Sequence, residues 1–267
     1  MLQRVAGSLI VLGSMLAAVR ANASEAWAFR FNAYGSTQSW HDDLAFHNTT
    51  NQDAVVHLIG VSNGSVNQGD LLDVVVPAGR TVSLADHSGV WGTDVSPDLW
   101  VVHFDAPDGV LVSSRGGLHL ECPSPCGQPP NPIPTLGTFT MPVVRSLAPA
   151  GTRQFHFGAD LGGQTSRSNV GIYNAGDAAA TAVVSLYRAC DDTLVGTRAV
   201  TVPSNSTRQV GIRPSAESAP CADTQKLNQW LHYVTVVADQ PGMSYVFNIL
   251  EQPVVSPFRL PFGVAGY

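Results

Sequence analysis

Ser168-Asn-Val-Gly-Ile-Tyr-Asn-Ala-Gly-Asp177, Ala180-Thr-Ala-Val-Val-Ser-Leu-Tyr187 and Val200-Thr-Val-Pro203 follow one another in a chain of 267 residues. Each run is short, rich in β-branched residues and bounded by Asn, Gly, Asp or Pro, the pattern of a strand closed by a turn. In the second run Val183, Ser185 and Tyr187 fall on one strand face, and Ala182, Val184 and Leu186 on the other. Pro203 ends the third run, because proline has no N–H to give to a central ladder. Turn residues recur every eight to twelve residues or so, the spacing of an antiparallel sandwich rather than a parallel α/β sheet. No segment carries a long 3.6-residue period, and only Asp223 to Trp230 reads as one or two helical turns.

The N-terminal half carries the same landmarks in the same order. Asp43-Leu-Ala-Phe-His-Asn48 matches Asn169-Val-Gly-Ile-Tyr-Asn174, and in each a polar turn and an apolar run follow. Asp73-Val-Val-Val-Pro-Ala-Gly-Arg-Thr-Val82 matches Ala199-Val-Thr-Val-Pro-Ser-Asn-Ser-Thr-Arg208. Trp100-Val-Val-His-Phe-Asp-Ala-Pro-Asp-Gly109 is set against Tyr233-Val-Thr-Val-Val-Ala-Asp-Gln-Pro-Gly242. The offset of about 126 to 133 residues reads as an internal duplication. Between the halves, Cys122-Pro-Ser-Pro-Cys-Gly-Gln-Pro-Pro-Asn-Pro-Ile-Pro134 has six prolines, which exclude a helix and make a stiff, extended linker.

The run Ser168 to Asp177, with Val183 to Tyr187 and Val200 to Pro203 behind it, resembles bacterial extracellular immunoglobulin-like β-sandwich repeats. In those an N-x-x-x-x-N-x-x-D turn precedes a strand, a hairpin and a V-x-V-P strand end. The likeness covers most of the second half and, more weakly, the first. It implies a fold and a surface location, and it implies no chemistry. The expected fold class is all-β, with two tandem immunoglobulin-like antiparallel β-sandwich domains joined by the proline-rich linker. The boundaries are 1–23 for a leader, 24–121 for the first domain, 122–135 for the linker and 136–267 for the second domain.

The leader is legible as a signal peptide. Arg4 precedes the charge-free, mainly apolar run Val5 to Val19, and Ala21-Asn22-Ala23 fits the cleavage pattern. No later stretch is long and apolar enough to span a bilayer as a helix. The leader holds Arg4 and Arg20 and no acid, so the 14 basic side chains fall to 12 against 20 acidic ones. A chain this poor in Lys and Arg is not expected to bind nucleic acid or an anionic membrane surface. Cys122, Cys126, Cys190 and Cys221 follow the leader, an even count that reads as disulfides in an oxidising compartment. Three pairings are possible. Cys122–Cys126 with Cys190–Cys221 keeps each bridge within one half, and the second closes a loop of about thirty residues worth about 3 kcal/mol. A four-cysteine zinc site is disfavoured, since only Cys122 and Cys126 have knuckle spacing.

Candidate chemistry is sparse. Gly60-Val-Ser-Asn-Gly64 has the form of a nucleophile elbow around Ser62, but the motif needs a helix after the serine and a turn sequence follows. His41, His47, His57 and His103 lie in the first half without two-ligand spacing on one strand. Asp86, Asp94, Asp98, Asp105 and Asp108 fit no defined calcium loop and read as turn residues. Of the tryptophans Trp27, Trp40, Trp91, Trp100 and Trp230, Trp91 sits in a glycine-bounded loop and is the candidate ligand contact. Asn48, Asn63 and Asn205 begin N-glycosylation patterns, which carry meaning only in a eukaryotic host.

No catalytic set, metal site or cofactor is therefore expected. The reading is a secreted or cell-surface protein, not an enzyme, with a structural or adhesive role and a protein or glycan partner. The alternative is a glycan- or metal-binding module that uses the aromatics and histidines of the first half.

Overall fold

The computed structural model describes residues 23–34, 38–62, 67–85, 98–120, 135–160, 166–212 and 231–250. The described chain is all-β, its strand pairings are antiparallel, and no helix occurs among the described residues. The N-terminal half supplies β1 (Ala23–Tyr34), β2 (Gln38–Asn48), β3 (Ala54–Ser62), β4 (Asn67–Val76), β5 (Thr81–Ala85), β6 (Asp98–Pro107) and β7 (Val110–Leu120). Next come β8 (Thr135–Met141) and β9 (Val143–Val144). The C-terminal half supplies β10 (Arg153–Asp160), β11 (Ser166–Asn174), β12 (Ala180–Arg188), β13 (Leu194–Val202), β14 (Ser206–Ile212), β15 (Leu231–Ala238) and β16 (Gly242–Leu250). The linker Cys122 to Pro134 and the segment Asp223 to Trp230 lie outside the described residues.

The N-terminal strands form two layers. One runs β4-β3-β6-β1, with β9 on β1, and the other joins β5, β7 and β8 around β2. β1 touches β2 only at Ala33↔Trp40 and Tyr34↔Ser39, where the chain passes from one layer to the other. The inner faces meet in one apolar core. Ala28, Val56, Leu58, Val102 and Phe104 come from the first layer, and Leu44, Phe46 and Val110 from the second. Phe46 and Phe104 meet edge to face at 5.6 Å. Burying a side chain of this size contributes about 1.5–3 kcal/mol. β8 and β9 come after the proline-rich stretch in sequence, yet they pair with β7 and β1 of the N-terminal half.

The C-terminal strands are arranged in the same order. β13-β12-β15-β10 corresponds to β4-β3-β6-β1, and β14-β11-β16 to β5-β2-β7. Val170, Ile172 and Val210 face Ala182, Val184, Val234 and Val236 across the core. β12 alternates as its sequence predicts, with Ala182, Val184 and Leu186 buried and Val183 exposed. β4 ends at Val76 and β13 at Val202, each just before its proline.

A buried asparagine locks each strand end. Asn48 Nδ2 donates to the carbonyls of Gln52 at 2.7 Å and Val76 at 2.9 Å, and its Oδ1 accepts the Thr50 N–H. Asn174 Nδ2 donates to Ala178 at 2.8 Å and Val202 at 3.1 Å, and its Oδ1 accepts the Gly176 N–H. The turn after β4 needs a left-handed residue, which is Gly79 at φ 64°. The turn after β13 uses Asn205 at φ 48°, the type that tolerates this conformation best after glycine.

A third cluster joins the halves. Trp27, Phe29, Leu99 and Val101 on the outer face of β1 and β6 pack against Met141, Tyr173, Met243 and Tyr245. Thr207 Oγ1 donates to the Leu99 carbonyl at 2.6 Å, fully buried. Ala148 and Gly242 exchange two backbone bonds at 2.8 and 3.0 Å.

Candidate functional site

The register of the β4-β3-β6-β1 sheet places four polar residues in one row across its outer face. Asp73 pairs with His57, His57 with Asp105, and Asp105 with Glu25. The His57 ring nitrogen Nδ1 bonds the Asp73 carboxylate. On the next row His103 stacks on Trp27, with centroids 4.8 Å apart and planes 7° from parallel. Its Nε2 lies 3.7 Å from a Glu25 oxygen. Burial pushes the His103 imidazole below its ordinary value, and the charges of Glu25 and Asp105 pull it part of the way back. Among the described residues no group of three His, Cys, Asp or Glu side chains converges closely enough to hold a metal ion.

The other predicted residues fall apart in space or outside the described chain. His47 is exposed, and its Nδ1 bonds the Thr81 hydroxyl at 2.9 Å. Trp27 and Trp100 are buried, and neither offers a ring face to solvent. Ser62 ends β3 between Asn67 and Val101, and the next described element is the strand β4, whereas an elbow requires a helix. Asp105 lies in β6 and Asp108 in the turn after it. The side chains of His41, Trp40, Trp91, Trp230, Asp86, Asp94 and Asp98 lie outside the described set, as do Cys122, Cys126 and Cys221. Cys190, in the turn after β12, is not a free thiol.

One serine–histidine contact does occur. His156 and Ser244 are buried, with Nε2 and Oγ 2.7 Å apart. The Ser244 hydroxyl donates to Gln154 Oε1 at 3.1 Å, so the imidazole is the donor in the His156–Ser244 bond. His156 Nδ1 is left buried with no hydrogen-bond partner. A general base must instead accept the serine proton and be oriented by a third group. The trio is therefore a clasp between β10 and β16. Burial lowers the imidazole to about 4, so it is neutral at pH 7.

Among the described residues, exposed apolar side chains gather on the outer face of β13-β12-β15-β10. Phe157, Tyr233, Tyr187 and Leu194 pair in turn across four strands. Phe155 and Val183 add further exposed apolar surface on this face. Tyr187 and Tyr233 lie 4.9 Å apart and 6° from parallel, with Phe157 5.8 Å beyond. Rings stacked at strand spacing stand upright, so they present edges and hydroxyls rather than flat faces. The Tyr233 hydroxyl is raised by burial and by bonding to Asp192, beside the Arg188–Asp191 pair at 2.7 Å.

Alternation in Arg153-Gln-Phe-His-Phe157 assigns the phenylalanines to the core by hydrophobicity. The fold does the reverse: His156 is buried, while Phe155 and Phe157 are exposed. The sequence of β10 therefore points away from this face, and the inversion is visible only in the fold. Comparison with known families, curated proteins and solved structures finds no match for the chain.

Proposed function

We propose that this chain is a secreted or cell-surface protein without enzymatic activity, with a structural or adhesive role. It is built from two immunoglobulin-like sandwich units in tandem, and the proline-rich stretch between the halves of the sequence leads from β7 to β8, which pair within the N-terminal unit. The matched strand order of the halves and the shared asparagine lock support the tandem. Leader removal and a Cys190–Cys221 bridge belong to the same reading. The observation that carries the role is the apolar face of Phe155, Phe157, Val183 and Leu194. A contiguous exposed apolar surface on a rigid sheet marks an interaction site.

The test is attachment and localisation in the producing cell. Cells lacking the protein should lose surface attachment and regain it with the wild-type chain but not with Phe155→Ser/Phe157→Ser. The protein should also be released from intact cells by external protease. Unchanged attachment in the null strain, with the protein retained inside the cell, would sink this reading. The metal-binding alternative would draw on the Asp73-His57-Asp105-Glu25 row, whose side chains do not converge into a three-ligand site. A chelator-sensitive rise in melting temperature with a divalent cation would favour it, because a ligand of the folded state stabilises by mass action.

A further inference from the structure

The two halves differ in what covers their equivalent faces. Asn48 and Asn174 set β3 and β12 in the same frame. In that frame Leu58 pairs with Phe104, and Val184 with Val236. Three and five residues back along β6 and β15 the equivalents are Val101 with Tyr233 and Leu99 with Leu231. Phe29 pairs with Val101 and Trp27 with His103, while Phe157 pairs with Tyr233 and Phe155 with Thr235. Phe155 and Phe157 therefore occupy the places of Trp27 and Phe29. Trp27 is 8% exposed and Phe29 0%, whereas Phe155 is 44% and Phe157 56% exposed. The first pair is covered by the C-terminal half.

The covering face also has a counterpart. Tyr173 pairs with Met243 and Thr207, and His47 pairs with Leu111 and Thr81. Met243 is 3% exposed inside the contact, and Leu111 is 61% exposed. The sheets thus stack in four layers, with one docked pair of faces in the middle. Among the described residues, one uncovered copy of each docking face remains, at opposite ends of the stack. They cannot meet within a chain.

We infer that the protein assembles head to tail with copies of itself: the Phe155–Phe157 face of one chain receives the Leu111 face of the next. The inference rests on the reading of the halves as like units. The contact is heterologous, using different patches on the two partners, so each addition exposes a new free end and the assembly extends as a filament. The Thr81 hydroxyl of the incoming copy takes the role of Thr207, which donates to the Leu99 carbonyl within the chain. Ser113 stands where Tyr245 stands, since they pair with Ala45 and Gly171, so the contact between copies is smaller than the one within the chain. It also lacks the tether, which supplies an effective concentration of about 1 mM. Assembly is accordingly concentration-dependent.

The experiment is sedimentation velocity on the full purified chain, leader removed, up to about 1 mM, the concentration a short tether would provide. Wild type should show mass rising without a fixed stoichiometry. Phe157→Glu and Leu111→Glu each lose one face and should stay monomeric. Mixed in equal amounts, they should form 1:1 dimers that grow no further, since each keeps the face the other lacks. Phe155→Ser replaces Phe157→Glu if circular dichroism shows that the latter is unfolded. Three results overturn the inference: a monomeric wild type throughout, a single variant that still associates, or a mixture that stays monomeric. Leu111→Glu separates this from the adhesive reading. If it abolishes assembly but cells keep their attachment, the two are independent. A monomeric wild type that still supports attachment overturns only the assembly.

Discussion

Asn174 repeats in its half the bonds that Asn48 makes in the other. Each amide accepts an N–H two residues on and donates to carbonyls four and twenty-eight residues on. Both are buried, so each bond replaces one that water would have made. Asn48→Ala or Asn174→Ala strands several buried backbone groups and should cost about 3 kcal/mol. Asn48→Asp should be no milder, because a carboxylate cannot donate to the Val76 carbonyl. Urea denaturation checks both, and a loss below about 0.5 kcal/mol, the range of ordinary surface changes, would refute the lock.

Thr207 holds the halves together through one buried bond to Leu99. Thr207→Val keeps the shape and removes the donor, leaving a buried carbonyl unpaired at a cost of about 1–3 kcal/mol. Thr207→Ser retains the hydroxyl and should recover most of it. The expected signature in calorimetry is earlier separation of the two halves' transitions in the valine variant alone.

His156 makes stability depend on pH with a definite sign. Its folded value of about 4 lies below the ordinary 6.5, so the unfolded chain binds the proton first. The contribution is fully present above pH 6.5 and is lost as pH falls from there to about 4. At about 1.36 kcal/mol per unit this amounts to about 3 kcal/mol. His156→Gln keeps a donor toward Ser244 without the titration. The difference in urea midpoint between variant and wild type should therefore shift between pH 7 and pH 4. A difference independent of pH would show that His156 does not titrate in this window.

Gly242 and Gly79 should respond differently to alanine. A Cβ on Gly242 would run into the backbone carbonyl of Tyr173, at the seam between the halves. That overlap predicts a loss of at least about 2 kcal/mol in Gly242→Ala. Gly79 has open space around it, and its cost is the left-handed backbone alone, about 1–2 kcal/mol. Thermal melts of the two variants rank them, and a milder Gly242→Ala would contradict the close approach.

Much of the strand framework was legible without coordinates. The β-branched runs, the Val-Pro ends of β4 and β13 and the paired asparagines all reflect local rules of alternation, turn chemistry and proline's missing donor. Ser62 could be set aside for the same reason, since the residues after it read as a turn and not as a helix. Sidedness was harder. The repeat sets Trp100 against Tyr233, but Trp100 is in the core while Tyr233 looks outward, and His232 is its buried counterpart. β10 buries His156 and exposes two phenylalanines, against its own hydrophobicity.

The period of two is a property of the local backbone, and the sequence by itself determined it. Which of the two faces lies inside depends on what packs there, and that was decided only by strands distant in the chain. The return of β8 and β9 to the N-terminal sheets and the burial of Trp27 under Tyr173 and Met243 are of this kind. Their free energy comes from apolar surface that two remote segments hide from water together, and neither segment records it alone.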